Sequence, residues 1–150
     1  MTECWTCMSN SGERRISPGS TIYEGQYWLV EHAYPSQLKG WLVIVLKRHA
    51  EALHELSKDE FVELATIQSM AIQLLYRTLN CEKEYIACYA ELEHFRHIHF
   101  HIVAKPFDLP SDLKGAKSFA LLKVDESNAI PTSEIYQFCE VLRSQFNQWC

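Results

Sequence analysis

Residues 97–103 read His-Ile-His-Phe-His-Ile-Val. Strict alternation of one polar and one apolar residue leaves the backbone few options. On a helix the three histidines would scatter around the axis. On a strand they share one face, roughly 6.5–7 Å apart, and Ile98, Phe100 and Ile102 share the other. A strand is therefore predicted over Arg96–Lys105, stopped by Pro106. Its apolar face needs a cover and its edges need partners.

The rest of the chain supplies both. Thr21–Tyr23 and Tyr27–Ala33 read as strands joined at 24–26, and Trp41–Lys47 as a buried strand carrying the run WLVIVL. Glu84–Ala90 and Ser118–Val124 read as further strands. Gly12–Gly19 reads as loop and 35–40 as a turn region. Ser57 followed by Glu60 is a capping-box pattern. It opens a helix predicted to run to about Leu79, with Phe61, Leu64, Ala71, Ile72, Leu75 and Leu79 on one face and Asn80 ending it. A last helix is predicted over Ser133–Trp149, with Ile135, Phe138, Cys139, Leu142, Phe146 and Trp149 at helical spacing. Strands and helices without regular alternation indicate an α+β fold on an antiparallel sheet. The chain's 150 residues, 47% of them hydrophobic and 22% charged, suit one domain with one core.

Charge and cysteine content narrow the function. The net charge of −5 offers no basic excess for a long nucleic-acid backbone. No apolar run approaches the ~20 residues of a membrane span. The start, MTECWTCMSNSGERR, lacks the apolar centre of a secretory signal. Six cysteines without such a signal suggest free thiols or metal ligands in a reducing compartment, and the expected location is cytoplasmic.

The histidine row suggests chemistry. At an effective dielectric near 20, unit charges ~7 Å apart repel by about 2.4 kcal/mol, close to two pKa units. At neutral pH the row is therefore expected to be mostly neutral and to titrate as a coupled set. A neutral imidazole is a nucleophile, and a neighbouring ring can donate to an anionic oxygen. Attack on phosphorus fits that pair of roles. A metal-centred site fits too, because histidines two apart on a strand can share zinc. An inert surface row is the third reading.

His97-Ile98-His99-Phe100-His101-Ile102-Val103 resembles the histidine-triad (HIT) signature, three histidines alternating with apolar residues. Gly40-Trp41-Leu42-Val43-Ile44-Val45-Leu46-Lys47-Arg48-His49 resembles the family's upstream strand, with Leu46 where proline is usual. The resemblance covers roughly residues 1–106; residues 107–150 form a predicted C-terminal strand and helix extension. It implies a HIT-like sheet of about five strands packed with one long central helix and the C-terminal helix. It also implies hydrolysis or transfer at the α-phosphate of dinucleoside polyphosphates or nucleoside phosphoramidates. His99 would be the nucleophile that takes up the nucleotide, His101 would contact phosphate oxygens, and His97 completes the triad. A homodimer is implied as well. The alternatives are a nucleotide-binding protein with little turnover, and a metal-centred hydrolase using the row as ligands.

Several positions depart from the family pattern. Leu92-Glu93-His94 stands where Gly-Gln-Ser or Gly-Gln-Thr is common, so Glu93 and His94 become candidate phosphate neighbours. Glu93, an acceptor-only carboxylate, would repel a polyphosphate unless turned away or protonated. The family's ribose-binding aspartate would fall near His32. Trp28, with Tyr27 and Trp41, could offer a flat surface to a base. Cys4-Trp5-Thr6-Cys7 is a CxxC, which zinc, redox pairs and coincidence all produce. A HIT branch binds structural zinc through residues matching Cys4, Cys7, His49 and His97. Cys81, Cys88, Cys139 and Cys150 have no partner at metal spacing; Lys114, Lys117 and Lys123 are expected to face solvent, the alternative being that they reach phosphates.

Overall fold

The structure, a computed structural model, describes residues 3–149. Helix α1 (Trp5–Ser11) is followed by strands β1 (Tyr23–Glu24), β2 (Trp28–His32) and β3 (Trp41–Leu46). Helix α2 (Lys58–Leu79) then leads to β4 (Lys83–Ala87) and β5 (His99–Lys105). A run of 3-10 turns (Gly115–Leu121) precedes the last helix, α3 (Thr132–Trp149). The sheet order is β1-β2-β3-β5-β4, and every neighbouring pair is antiparallel. This is the five-stranded antiparallel α+β architecture expected from the sequence.

Strand alternation sorts the sheet into two faces. Val30, Leu42, Ile44, Leu46, Ile102 and Ala104 are buried on the face covered by α2 and α3. The residues that alternate with these supply the other face: Glu31, Trp41, Val43, Val45, His99, His101 and Val103. Registers Val43↔His101 and Val45↔His99 lay the two histidines directly beside valines of β3.

Helix α2 forms where its capping box predicts. The Ser57 hydroxyl accepts from the Glu60 N–H at 3.1 Å, and the Glu60 carboxylate accepts from the Ser57 N–H at 2.8 Å. Asn80 ends the helix in the left-handed region, at φ 52°. Its buried face is Leu64, Ile67, Met70, Ala71, Leu74 and Leu75, whereas Phe61 is exposed. In α3, Ile135, Phe138, Cys139, Leu142 and Phe146 are buried as the spacing predicts, and Trp149 is exposed. Gly40 turns the chain into β3 at φ 87°, where a Cβ would overlap Leu79 and crowd Ala104.

Two elements differ from expectation. The strand expected from Arg96 begins at His99, because the preceding residues turn over the end of β3: Ile98 N–H bonds Ala50 O, and Ile98 O accepts from Leu46 N–H. The strand expected over Ser118–Val124 is 3-10 structure over Gly115–Leu121. Its apolar run does not pair as a strand beyond one bridge, Ser36↔Leu122. Phe119, Leu121 and Leu122 instead pack on Ala33, Trp41 and Val103, capping the second face of the sheet. Burial drives both outcomes, and alternation alone does not tell a paired strand from a cap. No described helix is long and apolar enough to cross a membrane.

Candidate active site

The second face carries a cavity of about 510 Å³. Its floor includes Val43, Val45, His99 and His101; Phe95, Phe119 and Leu122 close it from the loops. Hydrogen bonding fixes what each imidazole presents there. His99 Nδ1 lies 2.6 Å from the His97 carbonyl oxygen. A carbonyl only accepts, so Nδ1 carries the proton and a neutral His99 keeps its lone pair on Nε2. His101 is set the opposite way. Its Nδ1 accepts from the Trp41 indole N–H at 3.0 Å, which leaves the proton on Nε2. One ring therefore offers an electron pair and its neighbour, 4.9 Å away between centroids, offers an N–H.

Both rings are held neutral chiefly by burial. His101 is pushed down to about 3, first by desolvation and then by the charges of His99 and Lys123. His99 is lowered by the same burial, opposed by its bond to His97 O. The row is mostly neutral, as expected; removal from water outweighs mutual repulsion as the cause.

At the cavity the histidine row is two rings long, not three. His97 is fully buried and precedes β5, and its ring faces elsewhere. Its Nε2–H donates to Leu46 O at 2.7 Å. Its Nδ1 lies 3.6 Å from Cys4 Sγ and 3.4 Å from Cys7 Sγ. His49 Nδ1 lies 3.4 Å from Cys7 Sγ, while its Nε2 faces Glu51 Oε1 at 3.3 Å. His97 thus meets His99 through its carbonyl oxygen, which accepts from the His99 Nδ1–H.

Cys4, Cys7, His49 and His97 offer two sulfurs and two ring nitrogens, all within 4.8 Å of one another. Around a zinc ion with ordinary bond lengths, ligand atoms stand about 3.5 Å apart. The contacts of 3.4–3.6 Å fit that tetrahedron. The far nitrogen of each imidazole meets an acceptor, the kind of outer hydrogen bond that orients metal-bound histidine. Burial and the adjacent Cys4 push Cys7 up to about 11, so the Cys7 thiol needs a cation before it ionises readily. Cys4 caps α1, accepting from the Cys7 N–H at 3.4 Å, which places both sulfurs at one helix end. The CxxC thus lies on an ordered helix. Among the other cysteines, Cys139 is in the α3 core as expected, and Cys150 lies outside the described residues.

Of the four expected substrate contacts, only His32 borders the cavity of the histidine pair. Trp28 is completely buried on the helical side, donating its indole N–H to Glu60 O, and cannot stack on a ligand. Trp41 is buried as well and acts through its bond to His101. His32 points to the helical side, where its ring meets Phe138 and both nitrogens are engaged by Ala33 O and the Gly40 N–H. Strand alternation turns the adjacent Glu31, not His32, to the cavity face, where Arg15 grips it bidentately at 2.9 and 3.0 Å and Thr21 donates to it at 3.0 Å. Glu93 and His94 line a separate depression beside Cys4, Cys7 and His49. His94 stacks on Trp5 and bonds Glu3 O, which holds the N-terminal turn in place. Tyr89, Ala90, Glu91, Leu92 and Phe95 of that loop line the cavity.

Two further cavity residues lie in the segment after β5. Phe119 meets His101 edge-on at 4.9 Å, and Lys123 lies at the rim with its Nζ 3.9 Å from the Phe95 ring centre. Lys114 and Lys117 are exposed, as expected.

The sequence profile described as scavenger mRNA decapping enzyme C-term binding matches residues 6–116. The chain belongs to that family, a branch of the histidine-triad (HIT) proteins. Solved structures agree on the fold. A hypothetical histidine triad nucleotide-binding protein from Sulfolobus tokodaii superposes with a TM-score of 0.72 at 17% identity, over 97% of this chain and 93% of that one. A Zn-bound histidine triad family protein from Mycobacterium smegmatis gives 0.68 at 18% identity, over 98% and 97%. Diadenosine triphosphate hydrolase from Plasmodium falciparum gives 0.64 at 11% identity, over 85% and 76%. No curated protein matches the chain by sequence.

Proposed function

We propose that this HIT protein is a nucleotide hydrolase or transferase acting at the α-phosphate of dinucleoside polyphosphates or nucleoside phosphoramidates. The observation that carries the reading is the His99 Nδ1–H bond to His97 O, which leaves Nε2 as the free nucleophilic atom of a cavity-lining ring. In the first step the Nε2 lone pair forms a bond to the α-phosphorus. The phosphorus–oxygen or phosphorus–nitrogen bond to the leaving group breaks, and that group departs with the electron pair and takes a proton from water. His101 donates its Nε2–H to a non-bridging phosphate oxygen. In the second step water attacks the phosphorus and gives up a proton to solvent. The phosphorus–nitrogen bond breaks, its electron pair returns to His99, and a nucleoside monophosphate leaves. An alcohol in place of water gives transfer.

Cys4, Cys7, His49 and His97 are proposed to hold a structural zinc ion. The metal would supply cross-linking, tying α1 to the segments that carry His49 and His97 and so fixing the carbonyl that orients His99. Reducing-purified protein is expected to contain about one zinc per chain by the four-ligand rule, lost in Cys4→Ser/Cys7→Ser. Zinc retained there but lost with His99 and His101 would favour the metal-centred alternative. The thiol ligands fit a reducing, cytoplasmic setting. A homodimer would form along β4, the longer free edge of the sheet, which exposes Ile86; sedimentation checks this.

The test of the mechanism is a trapped adduct. Protein mixed with diadenosine polyphosphate or adenosine phosphoramidate is quenched in alkali and its peptides weighed. A nucleotidyl group on the His99 peptide is expected. Product release with oxygen-18 from water appearing in a single, direct displacement, and no adduct, would refute it. Binding without product would favour the low-turnover alternative.

A further inference from the structure

We infer that Lys123 anchors the anionic phosphate of the substrate; this rests on reading the cavity as a nucleotide site. An incoming phosphate brings negative charge, which a cation at the cavity can meet with a charge-assisted hydrogen bond. Lys123 is the one lysine or arginine among the described residues lining the cavity. Of the acids lining it, Glu31 is already paired with Arg15, and Glu91 is exposed. Lys123 itself makes no ion pair among the described residues. Its ammonium instead rests 3.9 Å from the centre of the Phe95 ring, a seat that orients a cation without neutralising it.

The backbone is built to hold it there. Lys123 takes a φ of 56°, a left-handed conformation that a long side chain seldom adopts. Three contacts fix the turn. Lys123 N–H donates to Pro35 O at 2.8 Å, Leu122 bridges Ser36, and Ile130 N–H donates to Ser36 O at 2.9 Å. The residue as a whole is exposed, as suits the mouth of a site that must admit its ligand. Its ammonium is partly screened from water, which lowers its pKa. Lys123 is therefore a phosphate-anchoring residue placed beside the nucleophile, contributed by a segment on which an alternation-based reading finds only a strand.

Calorimetry with adenosine and guanosine monophosphates and their parent nucleosides tests this in wild type, Lys123→Gln and Lys123→Arg. Wild type is expected to prefer each monophosphate to its nucleoside. Lys123→Gln should weaken monophosphate binding by roughly 10- to 100-fold, as for a lost charge-assisted bond, and leave nucleoside binding unchanged. Lys123→Arg should restore most of the loss. Unchanged monophosphate binding in Lys123→Gln, with the wild-type preference intact, overturns the anchor and leaves the nucleotide site standing. Equal losses for nucleoside and monophosphate assign a merely structural role and overturn it too. If wild type binds none of the four probes, the nucleotide reading fails and this inference fails with it.

Discussion

At the scale of residues, hydrogen bonding to backbone and indole decides which nitrogen of each histidine reacts. His99 is told apart from His101 by a carbonyl on one side and an N–H donor on the other. Trp41→Phe keeps an apolar ring but removes that donor. His101 can then move its proton to Nδ1 and lose its donor to phosphate. Turnover is expected to fall roughly three- to tenfold, the worth of one neutral hydrogen bond, with nucleotide affinity nearly unchanged; steady-state kinetics check the split. The alternation of residues 97–103 made the pair at 99 and 101 legible in advance. It could not show that His97 turns away, because that depends on thiols some 90 positions distant meeting its ring. His32 borders the cavity but turns its ring to Phe138, because a one-residue step along a strand reverses the face and puts the Glu31 carboxylate on the other side.

At the scale of elements, α2 was readable because its signals are local: a capping box at one end, a left-handed asparagine at the other. Glu60 also joins Arg48, at 2.7 and 3.0 Å, so one carboxylate serves cap and ion pair. The Arg48 bond holds its pKa at about 2, well below the ordinary 4.5. A carboxyl depressed by folding adds stability that is complete above about pH 4.5 and drains away as pH falls toward 2. Glu60→Gln should therefore lower the melting temperature at neutral pH and flatten its acid dependence; scanning calorimetry across that range checks it. Helix α1 is the opposite case. Seven residues are too few to persist alone. It stands because Trp5 N–H bonds His94 O, Asn10 reaches Leu46 O, and the thiol–imidazole cluster gathers at its start. Chelation of zinc is expected to raise amide exchange in residues 5–11 well before it does so in α2. Gly40→Ala, at a left-handed turn with no room for a methyl, should cost about 2 kcal/mol or more in urea unfolding.

At the scale of the whole molecule, the sheet has a packed face and a working face, and the chain returns twice to wall the second. The N-terminal segment approaches through Arg15 and Glu31; the stretch after β5 approaches through Phe119, Leu122 and Lys123. The sheet and its helices follow from periodicity, which is why the fold was legible. The walls follow from which loops find apolar surface left uncovered, and no local pattern encodes that. The proposed chemistry converges on Nε2 of His99. The most direct test is turnover of diadenosine polyphosphate or adenosine phosphoramidate by His99→Ala, with folding confirmed by circular dichroism and nucleotide affinity by calorimetry. Turnover is expected to drop by at least about a thousandfold, the scale on which a lost nucleophile is felt, while nucleoside monophosphate still binds. A folded His99→Ala protein turning over substrate at the wild-type rate would contradict the assignment outright.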